Sequence, residues 1–214
     1  MHVGIFGGTF NPIHLGHIRS AEEIRQICAL DHIYFVPAAR PPHKDAGELV
    51  SSRHRLRMVE LAVADEPAFS ASAVELERAG PSYSVDTIRS FRAMLPSASL
   101  SFILGLDAFL AIQTWKDYRT IPWLCNLIVT SRPGTSHPRC PLPVDFQSVF
   151  CYDPVLRMYT HPSQSTLVLR EISGLDISAS AIRRDIRNGQ SVRSLVPPAV
   201  AAYIADHDLY HRGW

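Results

Sequence analysis

No apolar run in this chain approaches the ~20 residues that a membrane span needs. The N-terminus also lacks the charged-then-apolar layout of a secretory signal, so a cytoplasmic protein with no membrane partner is expected. Neither sign of charge is in excess. With 21 Lys and Arg against 20 Asp and Glu, the formal net charge is +1, which excludes a general attraction to nucleic acid or anionic membranes. Any anion binding must be local. The four cysteines, Cys28, Cys125, Cys140 and Cys151, form no Cys-x-x-Cys pair and no Cys/His cluster at zinc spacing, so reduced structural thiols are expected and a protein-held metal is not. No repeat period is visible. Two common nucleotide signatures are missing as well, the P-loop Gly-x-x-x-x-Gly-Lys-Ser/Thr and the dinucleotide fingerprint Gly-x-Gly-x-x-Gly.

What is present is an alternation of extended and helical segments. At 214 residues the chain suits one domain with a proper core, and 16 prolines against 11 glycines indicate well-fixed loops rather than disorder. Strands are expected at Val3 to Phe6, His32 to Val36, Phe69 to Leu76, Leu100 to Leu104, Asn126 to Thr130 and Thr166 to Glu171. Helices are expected over Gly16 to Leu30, after Ser51 or Ser52, after an N-cap at Ser84, over Ser180 to Asn188 and over Pro198 to His207. From Thr135 to Ser165 the pattern fails, apart from one short strand near Val149. This alternation predicts an α/β fold of the doubly wound, Rossmann-like kind: a mostly parallel sheet with helices on both faces, in a single domain over residues 1–214.

The chemistry concentrates in the first seventeen residues. An apolar strand breaks into Gly7-Gly8-Thr9-Phe10-Asn11-Pro12-Ile13-His14-Leu15-Gly16-His17. Gly7 and Gly8 permit φ values closed to other residues and close approach to a ligand. The following helix start offers free N–H groups and partial positive charge to an anion. His14 and His17, three apart, fall on one side of that first turn and can donate to phosphate oxygens. The plain alternative is two satisfied histidines; the glycine turn after a strand favours the phosphate site.

Five further segments carry candidate residues, most with a bland and a sharp reading. Pro41-Pro42-His43-Lys44 is an exposed basic loop, or a stiff loop aiming Lys44 at phosphates. Tyr83-Ser84 is a helix cap, or a carboxylate site at the helix start. Gly105-Leu106-Asp107 follows a strand end, where ligand crevices of open α/β sheets lie, although Asp107 reads equally as an N-cap. Trp115 has polar neighbours, which argues against deep burial. Ile177-Ser178-Ala179-Ser180-Ala181-Ile182-Arg183 is a capped helix start whose hydroxyls, N–H groups and guanidinium make a second anion clamp, carried by a helical part running from about 178 to the end.

These motifs resemble the nucleotidyltransferase superfamily that carries His-x-Gly-His, and most closely the bacterial nicotinate-nucleotide adenylyltransferases. The likeness runs from Gly7 to the region of Leu195-Val196-Pro197 and Tyr203-Ile204. It implies that His14, His17, Lys44 and Arg183 act on the phosphates. It places ATP against Gly7, Gly8, Thr9, Phe10, Gly16, Gly105, Asp107, Ile177, Ser178 and Ser180. Nicotinate mononucleotide then lies against Asn11, Tyr83, Ser84 and Trp115, with the tryptophan stacked on the pyridine ring; Arg132 matches a family position near the phosphates. Arg55 lies in a serine-rich helix start that also resembles the family's, and an exposed helix face explains it equally well. Departures are mild: Ser84 and Ser180 stand where threonine is usual. The implied reaction is attack of the mononucleotide phosphate on the α-phosphorus of ATP, with Mg²⁺ riding on the triphosphate and pyrophosphate leaving. Partners are these small molecules, and a homo-oligomer is compatible with the sequence. Alternatives are a related adenylyltransferase using nicotinamide mononucleotide or phosphopantetheine, and a non-catalytic nucleotide sensor.

Overall fold

The computed structural model describes residues 1–41, 49–131 and 142–211. Eight strands form one sheet: β1 (His2–Gly8), β2 (His32–Pro37), β3 (Phe69–Ala71), β4 (Ser99–Gly105), β5 (Asn126–Ser131), β6 (Cys151–Asp153), β7 (Met158–Thr160) and β8 (Thr166–Glu171), in the order β3-β2-β1-β4-β5-β8-β7-β6. From β3 to β8 every neighbouring pair is parallel, with Phe6 in register with Phe35 on one side and with Ile103 on the other. The order reverses direction between β1 and β4. At such a switch point the connections leave in opposite directions and open a crevice at the carboxyl ends of the strands.

Both faces of the sheet are covered, as a parallel sheet with apolar residues on both sides requires. On one face β1 contributes Val3 and Ile5 to a core with Val85, Ile88 and Phe91 of α3 (Ser84–Met94) and Phe109 of α4 (Leu106–Leu110). On the other, Ile33, Phe35, Ile103 and Ile128 pack against α1 (Leu15–Ile27), α2 (Ser52–Val63), α7 (Ala179–Arg187) and α8 (Pro198–Asp206). The three- and four-residue spacing of Ile18, Ala21 and Ile24 turns one stripe of α1 inward, and all three are buried.

Several sequence expectations need correction. The stretch Thr135 to Ser165, expected to be irregular, contains α6 (Val144–Gln147) and a hairpin of β6 and β7. These strands pair antiparallel and extend the sheet beyond β8; β6, which starts at Cys151, is the short strand expected near Val149. Three-residue strands are too short to show a period, yet Phe146, Phe150 and Tyr159 from this stretch are buried in the core. The strand expected to reach Leu76 ends at Ala71, because the chain turns where the Leu76 and Glu77 amides donate to the Ala73 carbonyl. Ser84 is not the cap of α3. Tyr83 is extended and its carbonyl accepts from Asp86 and Thr87, both at 3.1 Å, so Ser84 already lies inside the helix. α5 (Ile121–Leu124) lies between β4 and β5 in chain order.

Arg55 departs most from its expected exposed position. It is 1 % exposed, and its guanidinium donates to three backbone carbonyls: Val50 at 3.1 Å, Thr9 at 2.8 Å and Ala39 at 3.3 Å. The fork geometry of arginine suits this, since several fixed donors serve several acceptors at once. Arg55→Leu keeps the apolar stem and strands those acceptors. We expect a loss of about 3 kcal/mol or more in urea unfolding. A loss below about 1 kcal/mol would show that the carbonyls find other partners.

Candidate active site

A cleft of about 550 Å³ opens at the switch point, over the carboxyl ends of β1, β4 and β5. Its first wall is the loop from β1 into α1. Gly7 and Gly8 remain extended within β1, and neither has a positive φ; the left-handed backbone falls on Phe10, at φ 47°. This corrects the expected reason for the glycines. A Cβ on Gly8 would lie 2.8 Å from the Phe10 ring, and one on Gly16 would lie 3.0 Å from His14 Nδ1. Gly8 and Gly16 are therefore small so that neighbouring rings can fold back against the chain.

His14 is the N-cap residue of α1, and its backbone N–H donates to His17 Nδ1 at 3.2 Å. That bond fixes the tautomer of His17, leaving the proton on Nε2 as a donor. The two imidazoles stack with centroids 3.6 Å apart, and Phe10 stands edge-on to His17 at 5.1 Å. Burial lowers the His17 pKa well below its usual value, and the nearby His14 lowers it further. His17 is thus a neutral hydrogen-bond donor at the start of a helix. Such a group can stabilise charge growing on a phosphate oxygen while carrying none itself.

The second wall is the start of α7. Ser178 Oγ accepts from the Ala181 amide at 3.2 Å and caps the helix. From its next turn Arg183 donates to the Asn11 carbonyl at 2.9 Å. The two expected anion clamps are therefore joined through one residue. Asn11 is 3 % exposed, and its Oδ1 accepts from Tyr210 at 3.0 Å and from the Val50 amide at 3.4 Å. Its side-chain oxygen serves the loop. Burial raises the Tyr210 pKa, so the phenol stays neutral and keeps that proton on its oxygen.

Of the residues expected from sequence, Thr9, Phe10, Asn11, His14, Gly16, His17, Gly105, Asp107, Ile177, Ser178 and Arg183 line this one cleft. Gly105, rather than Asp107, caps α4, and Asp107 lies in its first turn. Ser180 is exposed, 3.3 Å from Ser178 Oγ and outside the lining. Tyr83, Ser84 and Trp115 form a separate group by α3. There Lys116 lies 4.9 Å over the Tyr83 ring and 3.0 Å from Asp86, and the half-buried Trp115 meets Phe102 edge-on at 6.2 Å. A Cβ on Gly7 would touch Phe102 at 3.4 Å, so this group sits just across β1 from the histidine loop. Lys44 and Arg132 lie outside the described residues. Arg55 was singled out in the sequence without a role, and its support of the site was not expected. Its spacing to Met58 and Val59, three and four residues on, put it on the buried stripe of α2 and was the available signal.

Ser20 Oγ donates to the Gly16 carbonyl at 2.7 Å, and Ser178 Oγ serves its own helix. Neither described bond links a hydroxyl to an imidazole, as an activated nucleophile requires. The arrangement suits anion binding and charge stabilisation. Among the described residues no group of three or more His, Cys, Asp or Glu side chains could hold a metal ion, and no helix is long and apolar enough to cross a membrane.

A family model described as cytidylyltransferase-like matches residues 5–185. A protein of Citrifermentans bemidjiense is 46 % identical over 212 residues, and one of Pelobacter propionicus is 45 % identical over 212 residues. Each comparison covers 98 % of both chains, and both relatives are named probable nicotinate-nucleotide adenylyltransferases. Among solved structures, a nicotinic acid mononucleotide adenylyltransferase of Plasmodium falciparum complexed with NaAD aligns with TM-score 0.71, covering 98 % of this chain and 97 % of that one. Its 18 % identity carries the fold alone.

The lowered His17 pKa has a measurable consequence. The unfolded chain holds this proton more tightly than the folded one, so stability falls as pH drops below 6.5 towards the folded midpoint and recovers as pH rises. In an NMR titration the His17 ring should titrate well below 6.5, and His14→Asn should raise that midpoint without restoring it fully. A wild-type midpoint at or above 6.5 would contradict the assigned neutral donor.

Proposed function

This chain belongs to the cytidylyltransferase-like family, and on that premise we propose that it transfers the adenylyl group of ATP to nicotinate mononucleotide, yielding nicotinate adenine dinucleotide and pyrophosphate. The reading makes it an enzyme of NAD biosynthesis, working in the cytoplasm on small molecules. The observation that carries it is the single cleft in which His14, His17 and Arg183 converge. Full-length relatives of the same name support the choice of substrate.

In this reaction an oxygen of the mononucleotide phosphate attacks the α-phosphorus of ATP. A new oxygen–phosphorus bond forms as the bond to the β-phosphate oxygen breaks, and both electrons of that bond leave with pyrophosphate. No side chain enters covalently. The protein's share is to hold the two phosphates in line and to meet the charge that moves onto the leaving group. His17 Nε2–H and His14 face the α-phosphate and the bridging oxygen, while Arg183 and the start of α7, with Ser178 and Ser180, take the β,γ end. Asp107 accepts from the ribose. Tyr83, Ser84 and Trp115 receive the pyridine part, the free amides of α3 meeting its carboxylate. Among the described residues Asp107 is the one carboxylate lining the cleft, which fits Mg²⁺ arriving on the triphosphate and keeping several of its waters.

The test is pyrophosphate release with ATP and Mg²⁺, offering nicotinate mononucleotide, nicotinamide mononucleotide and phosphopantetheine in parallel. Nicotinate mononucleotide should be used best, and His17→Ala should lower its turnover about 100- to 1000-fold with the fold intact. Reaction with none of the three defeats the enzyme reading, and near-normal turnover by the variant defeats the role of His17.

A further inference from the structure

Ser131 ends β5 in the wall of the cleft. It is 4 % exposed, and its Oγ has no hydrogen-bond partner among the described residues. Its backbone is in order, with the carbonyl accepting from the Ile172 amide at 3.0 Å. A hydroxyl buried without a partner lowers stability, so an isolated one in a ligand-sized cleft calls for a reason. Rotation about χ1 carries the Oγ between staggered positions, and here it breaks no existing bond.

The order of groups along the sheet says what reaches this hydroxyl. The histidine loop follows β1, Asp107 follows β4, and Ser131 closes β5. Neighbouring strands lie ~4.8 Å apart, so β5 is ~10 Å along from β1, on the scale of a nucleoside. The cleft that Ser131 lines is also walled by Ile172, whose amide meets the Ser131 carbonyl, and by Leu175 and Ile177. That wall is fixed in place: the Glu23 carboxylate of α1 takes the Ser173 amide at 3.0 Å and the Ser173 hydroxyl at 2.7 Å. A flat heteroaromatic base needs this combination of apolar surface and a polar group at its edge.

Resting on the adenylyl-transfer reading, we propose that Ser131 Oγ hydrogen-bonds the edge of the adenine base of ATP and so sets the enzyme's affinity for that nucleotide. A hydroxyl both donates and accepts, so it can meet a ring nitrogen or the exocyclic amine.

The experiment compares the full-length protein with Ser131→Ala in steady-state kinetics, using ATP and four analogues: one lacking the 6-amino group, and three with N1, N3 or N7 replaced by CH. The variant should raise KM for ATP about tenfold, with the loss falling on KM for ATP rather than on kcat or KM for the mononucleotide. One analogue should cost the wild type the same factor and cost the variant nothing more, because the bond is already gone. Without nucleotide the variant should melt no lower than the wild type, since no internal bond is removed. An unchanged KM for ATP overturns the proposal. So does a set of analogue penalties identical in the two proteins, which would move the contact off the base, or a lowered melting temperature with normal ATP use, which would make the hydroxyl structural. An active wild type with an indifferent variant defeats this assignment alone. A wild type that neither binds nor turns over ATP removes the adenylyl-transfer reading and the assignment with it.

Discussion

One buried guanidinium ties the first loop of the chain to the rest of the molecule. Residues 9 to 11 lie between a strand and a helix, so their carbonyls have no ladder partners, and buried carbonyls without partners are costly. Arg55 takes the Thr9 carbonyl and, with its other nitrogens, those of Ala39 and Val50. Arg183 takes the carbonyl of Asn11, and Tyr210 its side-chain oxygen. Three distant parts of the chain, α2, α7 and the segment after α8, are thus fastened to a span of three residues. The histidines that follow inherit that rigidity.

A rigid start is what phosphoryl chemistry asks of a protein. With no nucleophile to activate, the gain comes from groups already in place when charge moves. The stacked pair of His14 and His17 is held by a backbone bond, by the edge of Phe10 and by the absence of a Cβ at Gly16. Phe10 accepts a left-handed backbone at a cost of roughly 1–2 kcal/mol to stand there. On the far side of β1, Lys116 fastens the Trp115 turn to the first turn of α3 through Asp86. The two halves of the proposed site therefore rest on opposite covered faces of one sheet.

The sheet and its main helices were legible because they are long enough to show their period. The apolar run before Gly7 and the inward stripe of α1 each carry a repeated signal. The hairpin of β6 and β7 carries none, since three residues span barely one alternation. That the histidine loop forms a wall of the cleft was legible from its glycine turn after a strand together with the histidine spacing, but the reason for its glycines was not. Backbone φ is a local property, whereas the ring that excludes a Cβ at Gly8 arrives from two residues further on. Arg55 shows the same limit: an arginine reads as exposed until the carbonyls it serves are known, and those come from three separate stretches of chain. Ser84 missed its cap by one residue because the Tyr83 carbonyl, which no side-chain rule describes, already closes the first turn.

Direct transfer within a preorganised cleft has a stereochemical signature. ATP made chiral at the α-phosphorus, with sulfur and oxygen isotopes in place of its equivalent oxygens, reports the course of displacement in the dinucleotide product. A single in-line attack by the mononucleotide phosphate predicts inversion at that phosphorus. Retention would require two displacements and a covalent adenylyl-enzyme, and would contradict the account.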